Sequence, residues 1–214
     1  MNIIGLVGFA GSGKDTIANI LAIDFRFKKL AFADPLKDAA AIIFDWPRYL
    51  LEGDTEPSRA FRERPDPYWS EKLGKPFTPR MALQQLGTEG CRNVFHDDIW
   101  VLNLEKRITQ HEKVVVTDVR FPNEIDSIIR QGGKIVRIKR GPEPVWYKTA
   151  YEHMQIGKYG MYNKYPYVHV SEWAWIGTLF DYVLSNNGSK VELEACVKHM
   201  LDIYTGPVMM KKSA

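Results

Sequence analysis

An α/β fold, with a five-stranded, mostly parallel sheet and helices on both faces, is what this 214-residue sequence predicts. Three observations predict it. Short runs that are apolar throughout, rather than alternating, recur along the chain and suit strands buried on both faces. Segments with helical spacing of apolar residues separate them. The first run is followed directly by a glycine-rich turn that opens a helix, the arrangement that points backbone N–H groups at a phosphate.

The first strand is expected over Ile3 to Val7 and the first helix over Lys14 to Asp24, with Ile17, Ile20, Leu21 and Phe25 at helical spacing. Between them, Gly8-Phe9-Ala10-Gly11-Ser12-Gly13-Lys14 has the spacing G-x-x-x-x-G-K; Asp15 stands where Ser or Thr normally follows, and Thr16 comes one position later. A strand over Lys29 to Ala33 and a helix over Pro35 to Phe44 come next. Trp46 to Arg80, with Pro47, Pro57, Pro65, Pro67, Pro76 and Pro79, reads as an insertion packed over one edge. Helices over Pro79 to Cys91 and Asp98 to Gln110 lead to a strand at Val114 to Thr117. Pro122 suits the first position of a helix to Arg130, whose inward face is Ile125, Ile128 and Ile129 and which ends at Gly132-Gly133.

A strand over Lys134 to Ile138 follows. Gly141 to Gly177 carries Trp146, Tyr147, Tyr151, Tyr159, Tyr162, Tyr165, Tyr167, Trp173 and Trp175 among Lys148, Lys158 and Lys164, and its length suits a lid or binding loop. The last strand is expected over Phe180 to Leu184. Ser189 and Glu192 form a capping box for a final helix that buries Leu193, Val197, Leu201 and Tyr204, and a loose tail follows Gly206. The chain therefore reads as one domain, with a core of about 1–45, 92–140 and 178–204, an insertion at 46–91, a lid-like segment at 141–177 and a tail at 205–214.

Composition narrows the function. Hydrophobic residues make up 45% of the chain, enough for a core. A net charge of +3, from 29 basic and 26 acidic residues with no block of five like charges, argues against a duplex-binding surface. Cys91 and Cys196 have no metal-ligand spacing and are expected as buried thiols in a reducing compartment. The loop begins eight residues into the chain, which leaves no room for a signal peptide, and no apolar run approaches the ~20 residues that span a bilayer. A soluble, cytoplasmic protein with no membrane partner is expected.

Val114-Val115-Val116-Thr117-Asp118 ends an apolar strand in a carboxylate, as expected of an aspartate that holds Mg²⁺ beside a phosphate loop. Arg120, two residues on, can make a two-pronged contact to phosphate; a surface ion pair with Glu124 at helical spacing is the bland alternative. Lys37, Arg80, Arg92 and Arg140 are further cationic candidates, for any one of which a solvated surface charge is the more common explanation. Transfer of a phosphoryl group needs several such charges, because its catalysis is chiefly positioning and neutralisation of phosphoryl oxygens.

Together, Ser12-Gly13-Lys14-Asp15-Thr16, Pro35-Leu36-Lys37-Asp38-Ala39, Leu86-Gly87-Thr88-Glu89, Trp100-Val101, Asp118-Val119-Arg120 with Glu124, Gly132-Gly133 before Arg140-Gly141-Pro142, His169-Val170-Ser171-Glu172 and Leu184-Ser185-Asn186-Asn187-Gly188-Ser189 resemble, in order, the motifs of the bacteriophage deoxynucleoside monophosphate kinases. The resemblance implies a three-layer P-loop NTPase fold with an acceptor-binding insertion. It implies ATP and Mg²⁺ as phosphoryl donor, a deoxynucleoside 5′-monophosphate as acceptor, and a homodimer as the assembly to test. Gly11, Ser12, Gly13, Lys14, Asp15 and Thr16 would hold the ATP phosphates and Asn187 would lie near the adenine. Lys37, Arg80, Arg120 and Glu124 would lie toward the acceptor, with Arg140 as a further cation there. Lys14, Asp118 and Arg120 would carry the chemistry, and Asp15 with Asp118 would hold the metal. Gln84, Gln85, Thr88 and Trp100 are candidates for base and sugar contacts, with helix surface or core as the plainer reading. The chain departs from the family at Phe9-Ala10-Gly11, where basic residues are common, and at 47–79 and 142–168, which match poorly.

Other classes remain to compare. Dephospho-coenzyme A kinase has a similar loop and final Asn turn. A GTPase is disfavoured because no Asn-Lys-x-Asp follows a strand and Asp118-Val119-Arg120-Phe121 lacks a switch glycine. The aromatic and lysine residues of 141–177 could alternatively stack single-stranded nucleic acid, but a nucleic-acid partner is not expected.

Overall fold

The computed structural model describes residues 2–157 and 159–205. Lys158 and the tail expected beyond Gly206 lie outside the described residues. The chain forms two compact units, one from residues 1–31 and 107–214 and the other from residues 32–106.

The first unit is built on five strands, β1 (Ile3–Val7), β2 (Lys28–Leu30), β3 (Val114–Val116), β4 (Lys134–Lys139) and β5 (Tyr182–Ser185), in the order β2-β3-β1-β4-β5. Every pairing is parallel, so the sheet expected to be mostly parallel is wholly so. Gly5 of β1 lies between Val116 of β3 and Ile135 of β4. The loop after β1 therefore leaves the middle of the carboxyl edge, flanked by the ends of β3 and β4. The chain reverses its direction of strand addition here, which is where ligands of open parallel sheets bind.

Alternation along β1 sets the layers, because successive side chains of a strand face opposite ways. Ile4 and Leu6 join one core with Ile17, Ala18 and Leu21 of α1 (Lys14–Phe25) and Leu193, Val197, Met200 and Leu201 of α10 (Lys190–Thr205). Gly5 faces the other way, toward α7 (Pro122–Arg130); a Cβ there would lie 2.7 Å from Ile128. Only glycine lets α7 come this close. Ile125 and Ile128 are buried as expected, but Ile129, one step further round the helix, is about half exposed. Cys91 and Cys196 are likewise half-buried free thiols rather than buried ones, and Cys196 packs against the core of this unit.

Two strand boundaries differ from expectation. The strand expected to reach Ala33 stops at Leu30, whose carbonyl takes the Thr117 N–H at 3.1 Å; the chain then turns into α2 (Asp34–Phe44). The last strand starts at Tyr182 rather than Phe180, because Asp181 exchanges bonds with Ile135 and the Phe180 ring instead packs near Trp175 and the Arg137 guanidinium.

The second unit is helical: α2, a 3₁₀ turn at Arg48–Leu51, α3 (Glu56–Glu63), α4 (Pro67–Leu73) and α5 (Pro79–Gln85), with α6 (Ile99–Ile108) leading the chain out of it. The proline-rich stretch expected to be an insertion contains the starts of three helices. Thr55, Asp66 and Thr78 cap α3, α4 and α5 with their side chains, and each of these helices has Pro in its first two positions, where the missing N–H costs nothing. Trp46, Leu51, Phe77, Ala82 and Leu83 form this unit's core with Phe44, Phe61 and Trp69 against it. The single helix expected over Pro79 to Cys91 is instead α5 followed by a π-helical turn at Leu86–Arg92. Gly87 lies against Leu36 there, with only 3.0 Å for an added Cβ, and glycine holds a regular helix poorly.

Segment 141–177 also acquires structure: α8 (Tyr147–Ile156), α9 (Gly160–Lys164) and a 3₁₀ turn at Val170–Glu172. Among the described residues no helix is long and apolar enough to cross a membrane.

Candidate active site

The loop between β1 and α1 is shaped by three glycines with positive φ, Gly8 (150°), Gly11 (76°) and Gly13 (99°). At Gly8 an added Cβ would come within 2.6 Å of the Ile138 carbonyl oxygen on β4, so the loop can hug the strand only through glycine. Gly13, in the left-handed conformation, caps α1 without a side-chain bond and leaves the first N–H groups of the helix facing the loop. Lys14 Nζ donates to the carbonyls of Gly8 at 2.7 Å and Phe9 at 3.0 Å, so the ammonium lies across the loop that it follows.

The charges expected here do converge on Lys14. Burial pushes the Lys14 ammonium below the usual lysine range and Arg120 pushes it the same way, while Asp15, Glu172 and Asp118 pull it back up. Asp15 sits in the first turn of α1, and Asp118 lies two residues past Val116 at the carboxyl edge. Arg140, beyond β4, makes a long contact of 3.5 Å from Nη1 to the Gly11 carbonyl, which sets it against the phosphate loop.

Arg120 is held at both ends, though not by the ion pair with Glu124 that helical spacing allowed. Glu124 is buried, and its Oε2 accepts the backbone N–H of Arg120 at 2.7 Å and of Phe121 at 3.1 Å, which satisfies donors at the start of α7. The Arg120 guanidinium reaches elsewhere: Nη1 donates to Ser171 Oγ and to Glu172 Oε1, both at 3.2 Å. Ser171 Oγ is in turn 2.8 Å from His169 Nδ1, which also accepts the Ser171 N–H at 3.3 Å.

The last strand supplies a second clasp on the loop. Asn186 donates from Nδ2 to the Ser12 carbonyl at 2.8 Å, and a Cβ at Gly13 would collide with that amide. Asn187, expected near an adenine, accepts the Gly141 N–H at 2.7 Å and donates to Ser185 Oγ at 3.1 Å, tying the ends of β4 and β5 together. Ser12 Oγ is buried with no hydrogen-bond partner among the described residues.

Phe9 occupies the loop position where a charge was the family expectation, and its surroundings explain an apolar ring. Its centroid lies 5.3 Å from Trp146, 6.2 Å from Tyr147 and 5.0 Å from Trp175. Beneath them the buried Arg137 guanidinium packs 4.9 Å from the Tyr147 ring and 5.4 Å from Trp175, and it donates to Tyr147 Oη at 2.9 Å and Glu143 Oε1 at 2.6 Å. The aromatic run in 141–177 is thus divided: Trp173 and Trp175 are buried, whereas Tyr151, Tyr159, Tyr162 and Tyr167 are exposed.

The remaining expected residues belong to the second unit. Lys37 Nζ donates to Glu52 Oε2 at 2.6 Å; burial raises the Glu52 carboxyl, but Lys37 and Arg48 outweigh it and hold the group below the usual carboxylate range. Arg80 pairs with Glu63. Gln84, Gln85 and Thr88 are exposed, and the Trp100 indole N–H donates to the Gly87 carbonyl at 3.1 Å.

Three participants were missed or given no role in the sequence: Asn186, Phe9 as a packing residue, and the Ser171-Glu172 pair. A signal existed for the first, two adjacent asparagines at the end of a strand. For the other two, only tertiary contact reveals the role.

Magnesium is a hard cation held in nucleotide enzymes by one or two carboxylates together with phosphate oxygens. Asp15 and Asp118 are two such donors, and both act on the Lys14 charge. Among the described residues there is no group of three or more His, Cys, Asp or Glu placed to hold a metal.

Comparisons with known proteins agree with this chemistry. No protein-family model matches the chain. A protein of Acanthamoeba polyphaga mimivirus named "Putative deoxynucleotide monophosphate kinase" is 36% identical over 154 residues, covering 65% of this chain and 75% of that protein. The deoxynucleoside-5'-monophosphate kinase of Escherichia phage T5 is 30% identical over 174 residues, 57% of this chain and 69% of the phage protein. Among solved structures, shikimate kinase from Bacteroides thetaiotaomicron is similar with a TM-score of 0.45 and 15% identity, over 95% of this chain and 98% of that one. Dephospho-CoA kinase from Campylobacter jejuni has a TM-score of 0.44 and 18% identity, over 94% and 97%. Scores this low say nothing about the reaction. With the phosphate loop, its converging charges and the two viral relatives in view, the chain belongs to the deoxynucleoside monophosphate kinase family.

Proposed function

We propose that this kinase transfers the γ-phosphoryl group of MgATP to the 5′-phosphate of a deoxynucleoside monophosphate, giving ADP and the diphosphate. The observation that carries the reading is the convergence of Asp15, Asp118 and Arg120 on Lys14 above a glycine-shaped loop. An acceptor phosphate oxygen attacks the γ-phosphorus in line, the bond to the β,γ-bridging oxygen breaks, and ADP leaves with the electron pair. Lys14 neutralises the β and γ oxygens, assisted by the loop N–H groups and the start of α1. Arg120 orients the acceptor phosphate. Asp15 and Asp118 would hold the Mg²⁺ that arrives with ATP, and the ion would supply further neutralisation of the phosphate charge. No strong base is needed, because the acceptor is already anionic near neutral pH.

The packed aromatic layer around Phe9 supports a segment 141–177 that shields the reacting phosphates from water. The cytoplasm is the compartment this reading assigns, since its substrates are soluble nucleotides. A homodimer rests on the resemblance alone, and light scattering on the purified chain tests it.

The decisive experiment is a coupled ADP-release assay with MgATP and a panel of deoxynucleoside monophosphates, ribonucleoside monophosphates and dephospho-coenzyme A. Turnover on one or more deoxynucleotides is expected. Activity confined to dephospho-coenzyme A, or absent from every nucleoside monophosphate, overturns the reading.

A further inference from the structure

We infer that Glu172, with Ser171, is the positioning group for Arg120, and that it fixes the direction in which the guanidinium meets the acceptor phosphate. The inference rests on the acceptor role of Arg120 proposed above and names the residues that make that role possible.

The geometry sets the requirement. Arg120 Nη1 donates to Ser171 Oγ and to Glu172 Oε1, both at 3.2 Å. This pairing restricts Arg120. The backbone N–H of Arg120 is fixed by Glu124 at 2.7 Å, and the far end of its side chain is held by Ser171 Oγ and Glu172 Oε1. A long side chain tied at both ends loses most of its rotamer freedom before a substrate arrives, so less is lost when it binds one.

The anchor is itself fixed. His169 Nδ1 accepts the Ser171 N–H and lies 2.8 Å from Ser171 Oγ, and Trp173, the next residue after Glu172, is buried with its indole N–H donating to the Val168 carbonyl at 3.3 Å. The ion pair is partly exposed, with side chains 48% and 36% accessible, so it adds little to folding stability. Its contribution is to orientation. Glu172 is also ill-suited to touching the acceptor directly, since two anions would meet.

The test is steady-state kinetics on Glu172→Leu, Glu172→Gln, Arg120→Ala and the double variant Arg120→Ala/Glu172→Leu, using the best acceptor in the wild-type panel. Glu172→Leu should raise the KM for the acceptor about tenfold, as misplaced positioning groups do, and leave the KM for ATP within about twofold. Glu172→Gln, which keeps an accepting oxygen, should have a smaller effect. With Arg120 already replaced by Ala, adding Glu172→Leu should change the acceptor KM by less than about twofold, because the two residues act as a unit. The inference is overturned if Glu172→Leu has the same effect with and without Arg120, if it has none, or if the KM for ATP rises equally. Should Glu172→Leu fail to fold, the Gln variant runs the same cycle under the same criteria. A panel that returns a different acceptor overturns the substrate reading alone, and the cycle on that acceptor still decides the anchor. A panel that returns none overturns both.

Discussion

Burial and Arg120 both disfavour the charge of Lys14, and Asp15, Glu172 and Asp118 offset them only in part, so its ammonium stays below the usual lysine range. Lys14→Ala should therefore abolish turnover while leaving the circular dichroism spectrum unchanged, because its bonds are to loop carbonyls rather than to the core. Asp15→Asn should raise the Mg²⁺ concentration needed for half-maximal rate several-fold; an unchanged magnesium titration would remove Asp15 from the metal. The residues of the loop were legible in the sequence because their spacing is itself the chemistry. Glu124 was legible only as a position: its carboxylate caps backbone N–H groups, a role that depends on where α7 begins. Arg120's partners could not be read at all, as Ser171 and Glu172 lie about fifty residues away in sequence.

Helix α10 and the turn before it show what the elements contribute. Ser189 donates its N–H at 2.6 Å and its hydroxyl at 2.9 Å to Glu192 Oε2, and both bonds hold the Glu192 carboxyl below the usual carboxylate range. A depressed carboxyl stabilises the fold above its unfolded value, and that contribution is lost as the pH falls through the folded value. Glu192→Gln should therefore lower the melting temperature at pH 7 and make less difference as the solution becomes more acidic than the unfolded carboxyl, about pH 4. At the other end of the site, Gly13→Ala forces a side chain into a left-handed conformation and against the Asn186 amide. A loss of about 1–2 kcal/mol of stability, with weaker ATP use, is expected from denaturant titration and kinetics. The capping box and the sheet were predictable because both rest on local patterns. The π turn after α5 was not, since two glycines inside an apolar helical pattern do not say which neighbour needs the space that Gly87 gives up to Leu36.

At the scale of the whole molecule, the described residues include one hydrophobic core between the sheet and helices α1 and α10 and another around Trp46 and Phe77. Trp46 is buried, stacks on Phe44 with centroids 4.6 Å apart and donates its indole N–H to Asp66 at 2.8 Å. Trp46→Ala should cost about 3–5 kcal/mol in its own unit. Hydrogen exchange should then accelerate across residues 32–106 and remain slow in β1, β3 and β4; uniform acceleration would show that the two cores melt as one. Parallel α/β architecture was readable from the run of apolar strands, but the second unit was not, because prolines in the first turn of a helix look the same in sequence as prolines that break one.

The aromatic layer around Phe9 also makes the chain its own optical sensor. The Trp146 and Trp175 ring centroids both lie within 5.3 Å of that of Phe9, so a change in the donor loop reaches two of the chain's six tryptophans. Intrinsic emission should change when ATP is added, and the response should shrink in Trp146→Phe and Trp175→Phe. Binding of the donor nucleotide can thus be followed without a label and without turnover.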